Sequence, residues 1–294
     1  MIRITELRLP VNHAPEELEE AILKRLSISS KDLVEFTVFK RSHDARKNSA
    51  LSFIYTIDLS IKDEDKILKK WGHDPHVRPS PDTSYHYVAK APAELKKRPV
   101  VIGFGPCGIF AALLLAQMGF KPIVLERGKQ VRERTQDTWG LWRKKILNPE
   151  SNVQFGEGGA GTFSDGKLYS QIKDPKFYGR KVIHEFIKAG APEEIAYVAK
   201  PHIGTFRLVG MVEKIRQEII DLGGEIRFQQ KVTSFDIQDG QLKALHLESG
   251  EVLEADHVVL ALGHSARDTF QALHQAGVYI VPKPFSVGFR FEHP

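Results

Sequence analysis

Alternating apolar residues at the start of the chain predict a small α+β domain. Ile2, Ile4, Leu7 and Leu9 suggest a first strand. The segment 12–17 supplies a cap, a proline and two acidic residues, so a helix should follow and run to about residue 26. β-Branched and aromatic runs and a helical period predict three more elements: strands at 34–40 and 51–59 and a short helix at 63–71.

A proline-rich connector follows this domain. Three prolines fall within seven residues between positions 72 and 92, and we expect them to prevent regular structure there. The sequence therefore predicts a domain boundary near residue 90, with one domain at 1–90 and a second at 91–294.

From residue 99 the pattern changes to strand, glycine loop, helix and strand. An apolar strand leads into the loop, a helix covers 109–118 and a second strand covers 122–126, which is a βαβ unit that opens a parallel sheet. The predicted fold class is thus α/β, with a Rossmann-like, mainly parallel sheet preceded by the small α+β domain. The remaining predicted elements are helices at 129–146, 176–189 and 208–222, a glycine-rich loop at 156–166, and strands at 225–228, 232–237 and 257–262.

Composition places the chain among ordinary globular proteins. Its 294 residues are 41% hydrophobic and 27% charged, which excludes disordered and fibrous classes and allows two domains. The longest apolar run, 109–118, is shorter than the roughly 20 residues that cross a bilayer, so no membrane partner is expected. We see no secretory signal, and the single Cys107 excludes an internal disulfide, which predicts a reducing, cytoplasmic location.

Charge and histidine spacing predict little. The net charge is +5, and the one basic concentration is Lys40, Arg41, Arg46 and Lys47. Such a run is usually a solvated loop, but it motivates an alternative in which the amino-terminal domain binds RNA or another nucleic acid. The pair at positions 73 and 76 has H-x-x-H spacing without a helix or further ligands, so no metal site is expected.

A G-x-G-x-x-G fingerprint follows the strand of the βαβ unit. Gly103 allows a sharp turn, Gly105 allows a pyrophosphate to approach the backbone, and Gly108 allows the helix to lie close to the strand. Amides at the helix start should receive the diphosphate, and Glu126, at the end of the next strand, is placed to bind an adenosine ribose. An acidic residue there favours FAD or NAD over NADP. The residues between the second and third glycines, also expected at the cofactor, are Pro106 and Cys107.

Three segments resemble known flavoproteins. Residues 101–108, with small residues at 112, 116 and 119 and the pair Glu126-Arg127, are similar to the amino-terminal FAD fingerprint of the glutathione reductase and fumarate reductase class. Residues 256–263 resemble the second signature of that class, with Leu262 in place of its usual threonine. Residues 153–168 are similar to a loop of bacterial FAD-dependent dehydrogenases that carry an extra amino-terminal α+β domain.

This resemblance implies FAD as the cofactor and extends the candidate site. Five glycines within 156–166 suit backbone contacts to phosphates, ribityl hydroxyls or the flavin ring. Val232 lies in the strand that matches the adenine-contacting strand of related flavoproteins. The further cofactor-binding residues expected from the loop and the second signature are Gly158, Gly159, Ala160, Gly161, Ser164, Asp165, Lys167, Ala261 and Gly263.

The predicted function is an FAD-dependent oxidoreductase that transfers hydride between an unidentified substrate and the flavin. A second G-x-G-x-x-G between an apolar strand and a helix does not occur in the sequence, and neither does a cysteine pair, so the electron donor, NADH or NADPH, is not assigned. An NAD-binding dehydrogenase is a further alternative. No catalytic acid or base can be named: the substrate region is expected at about 168–225, and the ionisable candidates, each more commonly a surface or packing residue, are Arg180, His202, Arg207 and His264.

The end of the chain also shapes the expectation. Flavoproteins of this class usually close the FAD site with a late Gly-Asp or glycine-rich segment, and none occurs in the 31 residues (294 − 263) after Gly263. The segment 285–294 has the pattern of a strand without a closing helix. The sequence is therefore expected to be the amino-terminal portion of a longer enzyme.

Overall fold

The chain forms two compact units, each built from two separate stretches of sequence. The computed structural model describes residues 1–46, 51–170, 172–284, 287–289, 291 and 293. The first unit comprises Met1–Val88 with Gly161–Ile215, and the second comprises Ala89–Ala160 with Arg216–Pro294. The domain limits 1–90 and 91–294 remain a prediction from the sequence.

The amino-terminal part of the first unit is a four-stranded antiparallel sheet in the order β2-β3-β1-β4. One face of the sheet packs with two helices around an aliphatic core that includes Ile4, Ile22 and Ile57, each fully buried. The elements are β1 (Ile2–Pro10), α1 (Pro15–Leu26), β2 (Leu33–Asp44), β3 (Ser52–Ile61), α2 (Glu64–Trp71) and β4 (Val77–Pro79).

The short strand β4 corrects the prediction that the connector lacks regular structure. Val77 pairs with Ile4 and Pro79 with Ile2 along the free side of β1. A proline is tolerated there because β4 is an edge strand, whose outer side has no neighbouring strand to receive an N–H donor. The prolines therefore confine the strand to three residues and to the edge.

The later part of the first unit is mainly helical. A 3₁₀ turn, Ala160–Phe163, lies within the glycine-rich segment, where the sequence pattern predicts only a loop. It is followed by α5 (Tyr178–Lys188), a second 3₁₀ turn (Glu193–Ala196) and α6 (Thr205–Asp221), the last of which continues into the second unit.

The second unit contains the parallel sheet that the βαβ pattern predicts. Its strand order is β11-β5-β6-β7, and all three pairings are parallel. A separate antiparallel sheet, in the order β10-β9-β8, packs with the parallel strands and α7 around a core that includes Ile102, Leu245 and Leu273. The elements are β5 (Val100–Ile102), α3 (Pro106–Gln117), β6 (Ile123–Glu126), α4 (Val131–Lys144), β7 (Glu225–Phe228), β8 (Val232–Gln238), β9 (Gln241–Leu247), β10 (Val252–Glu254), β11 (Val258–Leu260) and α7 (Arg267–Gln275).

Two details of these elements differ from or lie beyond the prediction. Helix α3 begins at Pro106 rather than at residue 109, since proline suits the first position of a helix, where its missing N–H has no partner to lose. Half of the residues of the strand expected at 285–294 lie outside the described residues. Within the described part of the chain, none of the helices has the length and apolar character needed to cross a membrane.

The turn between β5 and α3 makes a stability prediction. A Cβ at Gly108 would overlap the carbonyl oxygen of Gly103, so Gly108→Ala should lower the free energy of unfolding by about 2 kcal/mol or more. The matched control is Gly210→Ala inside α6, where a Cβ meets nothing within 4 Å; it should be neutral or stabilise by up to about 1 kcal/mol. Urea unfolding followed by circular dichroism measures both, and equal stability of the two variants would contradict the close packing at Gly108.

Candidate dinucleotide-binding site

The fingerprint loop turns sharply between β5 and α3. Gly103 has φ +98°, and its N–H donates to the carbonyl of Leu125 on the adjacent strand β6 (2.8 Å). A Cβ at this position would overlap the carbonyl oxygen of Ala261. The first glycine is therefore required both by its left-handed conformation and by the backbone that follows β11.

The amino terminus of α3 is the part of the site best suited to an anion. Gly105 is the N-cap residue and none of the described side chains caps the helix, so within this part of the chain its first-turn amides have no side-chain acceptor. Pro106 and Cys107 are exposed at this end. Because unpaired amides and the helix dipole both favour negative charge, these residues fit the pyrophosphate of a dinucleotide.

Glu126 is more deeply embedded than a ribose-binding role alone requires. It is 4% exposed, and its carboxylate accepts three backbone hydrogen bonds. Oε2 accepts from the N–H of Phe104 (2.7 Å), and Oε1 accepts from those of Gly128 (2.8 Å) and Gly156 (3.0 Å). One side chain thus connects the fingerprint loop, the loop after β6 and the glycine-rich segment.

The first part of the glycine-rich segment lies against the fingerprint, backbone to backbone. The N–H of Gly158 donates to the carbonyl of Phe104 (2.8 Å). A Cβ at Gly159 would stand 3.0 Å from Cα of Gly105 and 3.1 Å from Cδ of Pro106, so a side chain would force the two segments apart. The structure therefore brings Gly158 and Gly159 together with Gly103–Gly108, and Ala160 ends this stretch.

The second part of the segment belongs to the first unit. The hydroxyl of Ser164 donates to the carbonyl of Gly161 (2.7 Å) and accepts from the N–H of Gly166 (3.0 Å), so it stabilises its own turn. Lys167 forms an exposed ion pair with Asp165 (3.3 Å). The backbone of Lys167 also forms an isolated β-bridge with His202, which brings the predicted loop beside one of the candidate histidines.

The remaining candidates lie at the start of β8 and just after β11. Val232 is buried at the start of β8, and the residues before it are tied to the site: the N–H of Gln230 donates to the carbonyl of Glu126 (3.0 Å). Ala261 donates its N–H to the carbonyl of Ile102 (2.8 Å) on β5. Gly263 is exposed in a turn, where an added Cβ would meet nothing within 4 Å.

The side chain of Arg127 forms hydrogen bonds and a stacking contact with other side chains of the protein. Its guanidinium forms two hydrogen bonds with Asp268 (2.9 and 2.8 Å) and one with Glu150 (2.6 Å), and it stacks on the ring of Phe155. Burial opposes the charge, but hydrogen bonds to Asp268 and Glu150 outweigh it and raise the pKa of Arg127 above its ordinary value. Asp268, held by Arg127, has a pKa well below the usual range.

Two buried charged residues of this unit were missed by sequence reasoning. Arg134 and Glu157 are both fully buried beside the glycine-rich segment. Oε2 of Glu157 accepts from the N–H of Val131 (2.7 Å) and from Arg216 (2.8 Å). The one available signal was that Arg134 shares a helical face with the buried Val131 and Thr138, a position where an arginine needs internal partners.

The candidate catalytic residues are not assembled into a reactive group. Arg180 stacks on Phe39, and its guanidinium reaches main-chain carbonyls within the first unit, a packing arrangement. Arg207 is exposed in the first turn of α6, and His264 is exposed beside Ser265. These positions give no assignment of an acid or base.

The basic cluster and the histidine pair also have structural partners. Arg41 lies over the rings of Phe53 and Tyr197, and Arg46 is paired with Asp44 (2.7 Å), while Lys40 is exposed on β2. Lys47 lies outside the described residues. Nothing in the described part of this cluster favours the nucleic-acid alternative.

The two histidines of the H-x-x-H pair each contact a different side chain. His73 stacks on Trp71, and Nδ1 of His76 lies 2.9 Å from the hydroxyl of Thr5. Among the described residues no group of three or more potential ligands could hold a metal ion.

The buried carboxylate of Glu126 makes a second stability prediction. Glu126→Ala would leave three amide donors without an acceptor and should lower the free energy of unfolding by about 3 kcal/mol or more. Glu126→Gln should lose less, because its amide oxygen can still accept from two of the donors. Glu133→Ala, an exposed change in α4, is the control and should lie within about 0.5 kcal/mol of the wild type. Urea unfolding checks all three, and a Glu126→Ala variant as stable as Glu133→Ala would contradict the three-loop connection.

Two family models match the chain. Residues 1–60 match a domain of unknown function, DUF8436. Residues 97–280, more than half of the chain, match the model described as Pyridine nucleotide-disulphide oxidoreductase.

Comparison with individual proteins gives one curated relative and several solved structures. An uncharacterized protein of Clostridium beijerinckii is 43% identical over 293 residues, which is 100% of this chain and 54% of the relative. The chain thus spans about half the length of the curated relative it matches. Thermovibrio ammonificans THI4 superposes with a TM-score of 0.40 at 17% identity, covering 62% of both chains. The 3-ketosteroid-Δ4-(5α)-dehydrogenase of Rhodococcus jostii has a TM-score of 0.36 at 13% identity and covers 58% of this chain and 48% of that one.

The family match covers the whole βαβ unit with the fingerprint and Glu126, and it continues through the end of α7. It confirms the predicted resemblance to FAD-dependent oxidoreductases and the predicted Rossmann-like α/β fold. The chain belongs to the pyridine nucleotide-disulphide oxidoreductase family.

Proposed function

We propose that this protein is an FAD-dependent oxidoreductase that transfers hydride between a small-molecule substrate and a flavin bound by the second unit. When bound, the flavin supplies the redox chemistry, and the protein supplies binding, orientation and electrostatics. Family membership supports the cofactor and the reaction class. The observation that carries the proposal is the uncapped, exposed amino terminus of α3 beside a buried acidic residue at the end of β6.

The proposed pyrophosphate contacts are main-chain amides. The first turn of α3, at Cys107 and Gly108, provides donors that no side chain in the described ranges caps. The flanking glycines, Gly103, Gly105 and Gly159, keep side chains out of the approach between the two glycine segments. This arrangement supports a phosphate-binding role because it combines free donors, a helix dipole and an unobstructed backbone.

Glu126 has a double role in the proposal. A carboxylate offers about four acceptor sites, and three of those on Glu126 are used by the amides of Phe104, Gly128 and Gly156. The remaining capacity is assigned to a ribose hydroxyl. Because the same carboxylate would repel a 2′-phosphate, the proposal keeps FAD and excludes NADP at this position.

The other candidates complete the proposed site. Val232, Ala261 and Gly263 are assigned backbone contacts to the adenine and flavin ends, in line with the resemblance to related flavoproteins. Ser164, Asp165 and Lys167 stay candidates from the sequence resemblance, as does the substrate region at about 168–225. NADH or NADPH is proposed as the electron donor, and the single cysteine supports a reducing, cytoplasmic setting.

The visible spectrum of the purified protein tests the proposal, with a glycine series as the residue-level prediction. The wild type should carry or take up FAD, identified by its flavin absorption and by chromatography after denaturation. Gly105→Ala should retain most of it, because a Cβ there meets Cα of Gly159 at an ordinary 3.5 Å. Gly105→Val should nearly abolish retention, because its extra methyl groups extend beyond that Cβ into the approach between Gly105 and Gly159.

Three outcomes would count against the proposal. A colourless wild type that does not take up FAD but binds NAD would establish the alternative of an NAD-binding dehydrogenase. A wild type that binds neither dinucleotide would refute the site altogether. Equal FAD occupancy in the valine and alanine variants of Gly105 would show that the fingerprint loop does not bind FAD.

Anaerobic reduction identifies the donor once FAD is confirmed. NADH and NADPH, added separately to the loaded protein, should bleach the flavin band if a pyridine nucleotide is the donor, and the faster one is the preferred donor. Bleaching by neither would mean that electrons enter from the substrate side.

A further inference from the structure

Arg134, in the first half of α4, is the largest fully buried side chain among the residues that the structure describes. A charged side chain is costly to bury unless its charge is compensated. Burial lowers the pKa of Arg134 to about 10, and the charges of Glu126 and Glu157 act against that shift. The side chain therefore remains a guanidinium cation at neutral pH, and the charges of two buried carboxylates act on it.

The guanidinium donates to main-chain carbonyls of one short segment. Its Nε donates to the carbonyl of Asn152, one terminal nitrogen donates to that of Glu157, and the other donates to that of Val153, each at 2.7 Å. The planar guanidinium, whose N–H donors are held in a fixed arrangement, thus binds the segment 152–157 at both of its ends.

The carbon chain of Arg134 is fitted to the same segment. A Cβ at Gly156 would overlap Cδ of Arg134 and stand 2.8 Å from its Nε. Gly156 also has φ +121°, a conformation that side chains rarely adopt. Glycine at 156 and arginine at 134 therefore fit each other, one leaving the space that the other fills.

The opposite edge of the segment meets the predicted cofactor site. The N–H of Gly156 donates to Glu126 (3.0 Å), that of Glu157 to the carbonyl of Lys129 (3.1 Å), and that of Gly158 to the carbonyl of Phe104 (2.8 Å). Arg134 thus fixes the carbonyls of the segment while its amides connect to the fingerprint loop and the loop after β6.

We propose that Arg134 is a positioning residue for FAD binding: it orders the segment 152–159 so that Gly158 and Gly159 stand against the fingerprint in the conformation that receives the cofactor. This inference rests on the proposed function, because the segment is taken to bind FAD. Arg134 touches neither cofactor nor substrate in this role. It acts by raising the fraction of molecules in which the site is formed, and the apparent dissociation constant varies inversely with that fraction.

The test compares three variants with the wild type. Arg134→Met removes the charge and the three hydrogen bonds described above at similar side-chain length. Arg134→Lys keeps the charge but loses the planar fork of donors. Arg143→Met is the control, the same chemical change at an exposed position of the same helix. Each protein is examined without FAD by hydrogen exchange with mass spectrometry, and with FAD by titration of flavin fluorescence and by the visible circular dichroism of the bound flavin.

The proposal predicts a local effect. Arg134→Met should lose exchange protection in 152–159 while the peptides of β5 and β6 keep theirs, and FAD should bind about tenfold to a hundredfold more weakly, since each lost hydrogen bond contributes about fivefold to an equilibrium. Arg134→Lys should fall between Arg134→Met and the wild type. The flavin dichroism of both variants at saturating FAD should return to the wild-type signal, because the site is the same once it is formed. Arg143→Met should match the wild type throughout.

Several results would overturn the proposal. The proposal is wrong if Arg134→Met keeps the wild-type exchange protection of 152–159 and binds FAD within twofold of the wild-type affinity. If Arg134→Met does not fold, Arg134→Lys decides in the same way, and unchanged protection and affinity in that variant would refute the role. Loss of protection in β5 and β6 together with the segment, in a folded variant, would show a general structural role instead.

The two readouts separate this inference from the proposed function. Failure of the wild type to bind FAD would refute the cofactor assignment, while the exchange measurement would still decide whether Arg134 orders the segment. Normal FAD binding by the wild type with no effect of the Arg134 variants would leave the proposed function standing and remove this inference alone.

Discussion

A single buried carboxylate determines how the nucleotide-binding part of this protein is put together. Glu126 ends strand β6 and accepts backbone hydrogen bonds from three loops that are far apart in sequence, at Phe104, Gly128 and Gly156. Loops of this kind lack regular hydrogen bonding of their own, so a buried acceptor that satisfies three of their donors fixes them relative to the sheet. The fingerprint and the glycine-rich segment come together because both are bonded to the same side chain.

Burying the charge of Glu126 requires a compensating positive charge nearby, and other residues of the unit supply it. Glu126 and Glu157 are both buried, and Arg134 lies close enough to both to interact with their charges. Glu157 additionally accepts from Arg216 and from the N–H at the start of α4. A group of this kind adds little net stability compared with an apolar core, but removing one member leaves an uncompensated charge. Its hydrogen bonds constrain the conformation of glycine-rich backbone that has few side chains to pack.

In the first unit, aromatic stacking and backbone hydrogen bonds attach residues 161–215 to the amino-terminal sheet. The ring of Phe39 on β2 contacts two guanidinium groups, with Cζ of Arg3 at 3.6 Å and Cζ of Arg180 at 4.3 Å from its centroid. Arg3 is in turn fixed by two hydrogen bonds to Asp58. The backbone of Arg41 exchanges hydrogen bonds with Tyr197 and Ala199, which extends the edge of β2. These contacts explain why residues 161–215 group with the amino-terminal sheet.

The sequence by itself determined the elements and the identity of the fingerprint, because both depend on local rules. Apolar periodicity and turn residues located the βαβ unit, and Gly103, Gly108 and Glu126 follow a spacing that backbone geometry imposes. What the tertiary structure decided is which distant segments meet. A charged residue in a helix is ordinarily interpreted as solvent-facing, so the partners of Arg134 could not be predicted, although the residue shares a helical face with Val131 and Thr138. The pairing of β4 in a proline-rich stretch could not be predicted either. The grouping of 161–215 with the first unit depends on stacking between residues more than a hundred positions apart. Such contacts leave no periodic trace in the sequence, since they are set by which surfaces the folded elements present to each other.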